Sequence, residues 1–321
     1  MVGKILSILT GVNPKFKDYR KVPPSCAPPD PMPNWKHFYI PTSLESAFKV
    51  LKEAPGTSRF VAGGTDLLLE LAQGHQSLAD NLIDLTQIPD LQKLEIQQGC
   101  LIIGASVPLS TIASSEIVLR NAAALHDACR LVGGPQVRNV ATLGGNVCHA
   151  LPAADGMIAL MSLQPVVKVA SPIGFREMDI QSIFKGPGQS TLSPGEIVTE
   201  FVVPLGNFVA SSAFNRVMRP QGVALPILNL AIWLVRDGNR IQNCRIAVGP
   251  AGPVPILCTL AANKLIGKEP SIKGLEEAGK AVLEQVQYRN SPRRATAEYR
   301  KHITHRLFCD VFESAWTRSW N

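Results

Sequence analysis

The stretch VRNVATLGGNVCHALPAAD, Val137 to Asp155, decides how this chain is read. It sets a Gly144-Gly145-Asn146 turn between Thr142 and a loop of small residues that ends at Asp155. A second stretch, VAGGTDLLLE from Val61 to Glu70, has the same build. Glycine lets a ligand approach the backbone and tolerates positive φ. Where such a turn opens a helix, free N–H groups and the helix dipole favour an anion such as a pyrophosphate. The first turn, Ala62-Gly63-Gly64-Thr65-Asp66, follows a predicted strand and precedes a predicted helix. It is neither G-x-G-x-x-G nor a Walker A loop, which weighs against Rossmann and P-loop folds. Two strips of bare backbone closing on one anionic ligand is the functional reading. On spacing alone the plainer reading, two tight turns with helix caps, stays open.

The bulk numbers exclude several classes. A chain of 321 residues is long enough for two or three subdomains. Aromatics at 6% are too sparse for a base-stacking or sugar-stacking surface, and a net charge of +7 is mild. Its one basic cluster, Arg289, Arg293, Arg294, Arg300, Lys301 and Arg306, lacks a nucleic-acid motif and fits an acidic partner subunit better. Seven scattered cysteines without a CxxC point to reduced thiols in a cytoplasmic protein and to no zinc or cluster site in this chain. No apolar run reaches membrane-spanning length, and the N-terminus lacks a signal-peptide pattern.

Four segments follow from the pattern. Residues 1–33 form a proline-rich arm, expected to lie along a partner. Residues 34–90 read as strand, helix, strand, helix, strand: HFYIP as an edge strand, then a helix capped by Thr42 and Glu45, then SRFVAGG as a short buried strand. Residues 91–209 form a second α+β unit, with two strands meeting at Gly99, one helix over SSEIVLRNAAALHDACRLVGG, and a strand over GEIVTEFVVPLG. Residues 210–321 suggest a three-stranded meander with a hairpin at Asp237-Gly238-Asn239, followed by two helices. Tyr299, Ile303, Leu307, Val311 and Ala315 mark one face of the last helix.

The pair AGGTDLL and QVRNVATLGGN, followed by PAAD, resembles the FAD-binding (medium) subunits of the molybdenum hydroxylases, of xanthine dehydrogenase and aerobic carbon monoxide dehydrogenase type. LIIGASVPLSTI, PGEIVTEFVVP and SPRRATAEYRKHITHRLF extend the likeness over roughly residues 36 to 316. The resemblance implies an α+β chain: the two-subdomain FAD-binding fold of the vanillyl-alcohol oxidase class, plus a C-terminal domain with a three-stranded antiparallel sheet on helices. It implies that Val61, Ala62, Gly63, Gly64, Thr65, Asp66 and Leu67 hold the FAD pyrophosphate. Thr142, Gly144, Gly145 and Asn146 would meet the phosphate and ribityl region, and Asp155 would hydrogen-bond the cofactor. Val198 falls where the family places an aliphatic residue near the flavin, although a plain core valine reads as well. Arg216 or Asn215 would stand where relatives carry a lysine, with Phe214 able to shield the flavin.

By the same resemblance, this chain is a flavoprotein oxidoreductase subunit, not substrate-competent alone. The molybdenum cofactor would sit in a large partner subunit and two [2Fe-2S] clusters in a small one. Electrons would pass from those clusters through FAD to an external acceptor. Cys148 and His149 depart from the family pattern and read as packing or cofactor contacts rather than a metal site. Two other functions remain: a self-sufficient flavin oxidoreductase, disfavoured because no histidine sits in a flavin-attachment motif, and a scaffold that has lost FAD, disfavoured by the intact turns.

Overall fold

Three sheets follow one another along the chain. The computed structural model describes residues 35–74, 79–206, 209–219, 225–292 and 294–320, and from Trp35 on these belong to one unit. The proline-rich arm lies outside the described residues.

The first sheet is parallel, with order β1-β3-β2, from β1 (His37–Tyr39), β2 (Ser58–Val61) and β3 (Asn81–Asp84). β3 is the central strand and its first three residues are buried; β2 is an edge strand, half-buried until Val61, rather than the buried strand expected. Between β1 and β2 runs α1 (Leu44–Glu53). Its capping box is Ser43 with Ser46, not Thr42 with Glu45: the Ser43 hydroxyl accepts from the Ser46 N–H and the Ser46 hydroxyl from the Ser43 N–H, both at 3.1 Å. The cap moves one residue because Ser43, at φ −148° and ψ 159°, is the last extended residue. Short α2 (Leu67–Ala72) follows the first glycine turn.

The second sheet has order β4-β5-β10-β6-β7, with all pairs antiparallel, from β4 (Leu94–Gln97), β5 (Cys100–Gly104), β6 (Val166–Ser171), β7 (Gly174–Asp179) and β10 (Ile197–Pro204). A small ribbon of β8 (Phe184–Gly186) and β9 (Gln189–Ser190) interrupts it. The helix expected over Ser114 to Gly134 is two helices, α4 (Glu116–Asn121) and α5 (Ala123–Leu131), after a short α3 (Leu109–Ala113). The break is at Ala122, whose φ −147° and ψ 51° leave the helical region. This turn lets the Ala124 N–H donate to the Ser212 hydroxyl at 2.9 Å. Two short helices, α6 (Pro135–Arg138) and α7 (Leu143–Cys148), precede α8 (Asp155–Leu163), and every residue of α8 is buried.

The third sheet is the expected meander of three long strands, β11 (Ala210–Met218), β12 (Pro226–Asp237) and β13 (Arg240–Gly249), extended by two-residue β14 (Ile256–Leu257). The hairpin turns at Gly238 with φ +56°, as its Asp-Gly-Asn sequence requires. β12 is buried on both faces. Ala231, Trp233 and Val235 join one core with α8, β5 and β10, while Leu228, Leu230, Ile232 and Leu234 join another with α9 (Thr259–Leu265), α10 (Ile272–Gln285) and α11 (Ala297–Arg318). That period-2 split welds the C-terminal sheet to the rest through one strand. On α11 the buried face is Thr304, Leu307, Phe308, Val311, Phe312 and Ala315, and Tyr299 points outward. Near its end Arg318 donates to both oxygens of Asp127 on α5, at 2.6 and 3.2 Å.

Phe201, central in β10 and fully buried, touches the core that all of this surrounds. Replacing it with alanine costs about 3–5 kcal/mol, read as a fall in the urea midpoint at unchanged slope.

Candidate functional site

The two glycine turns meet. A Cβ on Gly63 would overlap the Val140 carbonyl oxygen and lie 2.7 Å from the Ala141 Cα, so the first turn rests directly on the backbone that enters the second. Only glycine fits there. Gly64 takes φ +67°, which turns the chain from β2 into α2. The main-chain N–H groups of Gly63, Gly64, Thr65 and Asp66 have no acceptor among the described residues. Thr65 is half-buried and Asp66, the residue before α2, is exposed and makes no side-chain cap. Donors left over in a partly covered turn at a helix start suit a phosphate.

The second turn is fixed from behind by the loop after β5. The Leu143 N–H donates to the Val107 carbonyl at 3.2 Å, and the Gly144 N–H to the Ala105 carbonyl at 2.8 Å. A Cβ on Gly144 would come within 2.7 Å of Ala105, so this glycine serves close packing. Thr142 caps α7: its Oγ1 accepts from the Gly145 N–H at 3.1 Å. Gly145 is exposed at the start of α7. Asn146 is half-buried, and its Oδ1 is buried without a partner. A Cβ on Gly156 would approach that oxygen to 2.7 Å, which ties Asn146 to the first turn of α8. His149 closes the arrangement from the other end, with its Nε2 3.5 Å from Glu70 Oε1 of α2. His149 thus links the two turn-and-helix units by a side-chain contact, Cys148 packs against the core, and no group of metal-ligating residues occurs among the described residues.

Asp155 sits behind this wall. It is 3% exposed; Arg216 Nη1 donates to its Oδ2, and Asn229 Nδ2 donates to its Oδ1 at 2.9 Å. Arg216 Nη2 also donates to the Leu131 carbonyl, and Asn229 Nδ2 to the Ala153 carbonyl at 3.1 Å. Both carboxylate oxygens therefore have protein partners, and the pair Asp155–Arg216 ties α8 to β11 and β12. Burial pushes the Asp155 carboxyl up to about 6, against the opposing pull of Arg216 and then Asn229. Asn215, the other candidate at this position, is exposed and accepts the Arg216 N–H on its own Oδ1 at 2.8 Å. Val198 is 4% exposed and packs in the core beside β6, and Phe214 packs in the same core.

So the structure joins Val61 to Leu67 with Thr142 to Asn146, sets Asp155 and Arg216 immediately behind them, and leaves Val198 in the core. Sequence reasoning missed Glu70, Gly156 and Asn229. Asn229 had a signal: it is the lone amide inside the apolar run PILNLAIWL.

The FAD binding domain of molybdopterin dehydrogenases matches residues 33–206, and the C-terminal domain of carbon monoxide dehydrogenase flavoproteins matches residues 212–315. This chain belongs to the molybdopterin-dehydrogenase FAD-binding family. It is 28% identical to the xanthine dehydrogenase FAD-binding subunit of Escherichia coli O157:H7, over 87% of this chain and 95% of that one. It is 30% identical to the nicotine 6-hydroxylase medium subunit of Paenarthrobacter nicotinovorans, over 87% of this chain and 96% of that one. In fold it matches carbon monoxide dehydrogenase from Hydrogenophaga pseudoflava with a TM-score of 0.82, at 23% identity over 88% of this chain and 98% of that chain. The family's FAD fits the residues present, because the N–H groups of the first turn have no acceptor among the described residues and that turn rests on the backbone entering the second.

Two outcomes are expected. Gly63→Ala pushes the turns apart, lowers stability by about 1–3 kcal/mol and leaves the purified chain without flavin. Gly252→Ala, where the nearest atom lies 3.9 Å away, leaves both unchanged. The second concerns pH. Asp155 is raised from 3.8 to about 6, so the folded chain holds this proton more tightly than the unfolded one. Its share of stability is full below pH 4 and lost as pH rises through 6. Relative to Asp155→Asn, the wild type therefore loses stability between pH 4 and pH 7; denaturant unfolding of both proteins across that range checks it.

Proposed function

We propose that this chain holds FAD as the exit station of a multi-subunit molybdenum hydroxylase. In this reading a small partner subunit with [2Fe-2S] clusters delivers electrons, a large partner subunit holds the molybdenum cofactor and oxidises substrate, and an external acceptor removes the electrons here. The observation that carries it is the seam itself: two glycine turns in backbone contact, with the main-chain N–H groups of Gly63, Gly64, Thr65 and Asp66 left without acceptors among the described residues.

Each residue then has a task. The N–H groups of Gly63, Gly64, Thr65 and Asp66 receive the pyrophosphate, with Val61, Ala62 and Leu67 setting the turn between β2 and α2. Gly145 and Asn146 face the ribityl side; Thr142 and Gly144 hold them in place through the Gly145 cap and the Ala105 contact. Asp155 and Arg216 serve the cofactor by fixing the wall behind Asn146, and Val198 supports the same sheet from the core. When bound, FAD supplies the exchange between single-electron delivery and two-electron exit. The chain's own work is to orient the cofactor, shield one side of it and leave the other open to an acceptor.

Among the described residues no helix is long and apolar enough to cross a membrane. The six described cysteines are free, which supports a cytoplasmic setting.

The test is flavin reduction. In the complex copurified from its native host, substrate of the large subunit bleaches the flavin band of this chain. The isolated FAD-loaded chain stays oxidised with the same substrate. Bleaching of the isolated chain would instead establish a self-sufficient oxidoreductase.

A further inference from the structure

On the C-terminal domain, four arginines converge with no ion-paired carboxylate among the described residues. Arg300, on the second turn of α11, is 3% exposed, and its Nε has no hydrogen-bond partner. Arg219, at the end of β11, donates from Nη2 to the Arg294 carbonyl at 3.1 Å, which brings the strand end onto the loop that precedes α11. That loop is folded on itself: the Arg294 N–H donates to the Ser291 carbonyl at 3.1 Å, and Asn290 Oδ1 accepts the Ala297 N–H at 2.7 Å. None of Arg219, Arg289, Arg294 and Arg300 takes part in an ion pair among the described residues.

A buried arginine whose Nε has no partner needs an explanation. Removing a charge from water costs several kcal/mol unless a counter-charge meets it. A buried lysine can shed its proton, but arginine stays protonated. Burial, with Arg294 and then Arg289 adding like charge, holds Arg300 below its ordinary value, so its neighbours aggravate the cost. Arg294 is lowered in the same way, by burial and by Arg289. The group acting on Arg300 that could turn negative is Tyr288. Its hydroxyl is engaged with Thr304 Oγ1 at 2.9 Å, and burial pushes its acidity further out of reach. Glu298, two residues before Arg300 on the same helix, is exposed and makes no ion pair among the described residues.

We propose that Arg219, Arg289, Arg294 and Arg300 form a binding site for a phosphate-class oxyanion, separate from the cofactor seam. Planar guanidinium groups bind the oxygens of such an anion in pairs and bring the counter-charge that the protein withholds. Two sources share this chemistry: inorganic phosphate, and the phosphate of a nucleotide reaching the domain from solvent. The proposal does not depend on the electron route above.

The test uses the full FAD-loaded chain. Scanning calorimetry compares inorganic phosphate with chloride at matched ionic strength. Phosphate at a hundred times its Kd raises Tm by about 5 °C, and chloride does not. Arg289→Gln, at an exposed position where folding is safe, and Arg294→Gln each weaken phosphate binding about tenfold with one FAD per chain retained. Arg300→Met removes the phosphate effect on Tm. Adenosine monophosphate that binds at least about tenfold more tightly than phosphate assigns the site to a nucleotide; equal affinity assigns it to the free ion. Equal shifts from phosphate and chloride, or unchanged phosphate affinity in the Arg289 and Arg294 variants, overturn the proposal. So does loss of flavin from those variants, because the cluster would then belong to the FAD pyrophosphate.

Discussion

The contact of Gly63 with the Val140–Ala141 backbone is the constraint on which the site depends. It forces the turn after β2 and the backbone that enters the turn before α7 to share a surface. Every later contact extends that seam. The loop after β5 holds the second turn through Ala105 and Val107, and Gly156 lets α8 lie against Asn146. Asp155 then carries the linkage to β11 and β12 through Arg216 and Asn229. A chain of close approaches, each allowed by a missing side chain or closed by a buried polar pair, runs from the first sheet to the third.

That chain explains why the core is arranged as it is. α8 is buried along its whole length because it is covered by α5 on one side and by β12 and β13 on another. β12 in turn divides its side chains between two cores. A buried ion pair such as Asp155–Arg216 adds little net stability, since desolvation offsets its attraction. Its effect is placement. Leu131, Ala153 and Asp155 are held in register with β11 and β12, and the wall behind the seam has one geometry.

Much of this was legible in the sequence, and the limits have physical causes. The glycine turns, the Asp237-Gly238-Asn239 hairpin, the strand pair at Gly99 and the last helix are local features, set by residues within a few positions of each other. The cap at Ser43 moved by one residue because three of the four residues from Thr42 to Glu45 are credible capping groups and the choice rests on one ψ angle. The break at Ala122 answers to Ser212, 88 residues away in the hydrogen bond to Ala124, and no local periodicity encodes it. Asp155 and Arg216 were each singled out, yet their pairing spans 61 positions and became visible only in three dimensions. Val198 read equally as a flavin neighbour or a core residue because an aliphatic side chain carries no directional signal; in the structure it packs in the core.

The central claim is that these two turns hold one FAD, and it is tested most directly on the purified chain itself. Its visible spectrum should show the two flavin bands, and denaturation should release one FAD per chain, identified by chromatography. A colourless chain that takes up no added FAD would contradict the account, leaving the family fold without the cofactor that its glycine seam is argued to hold.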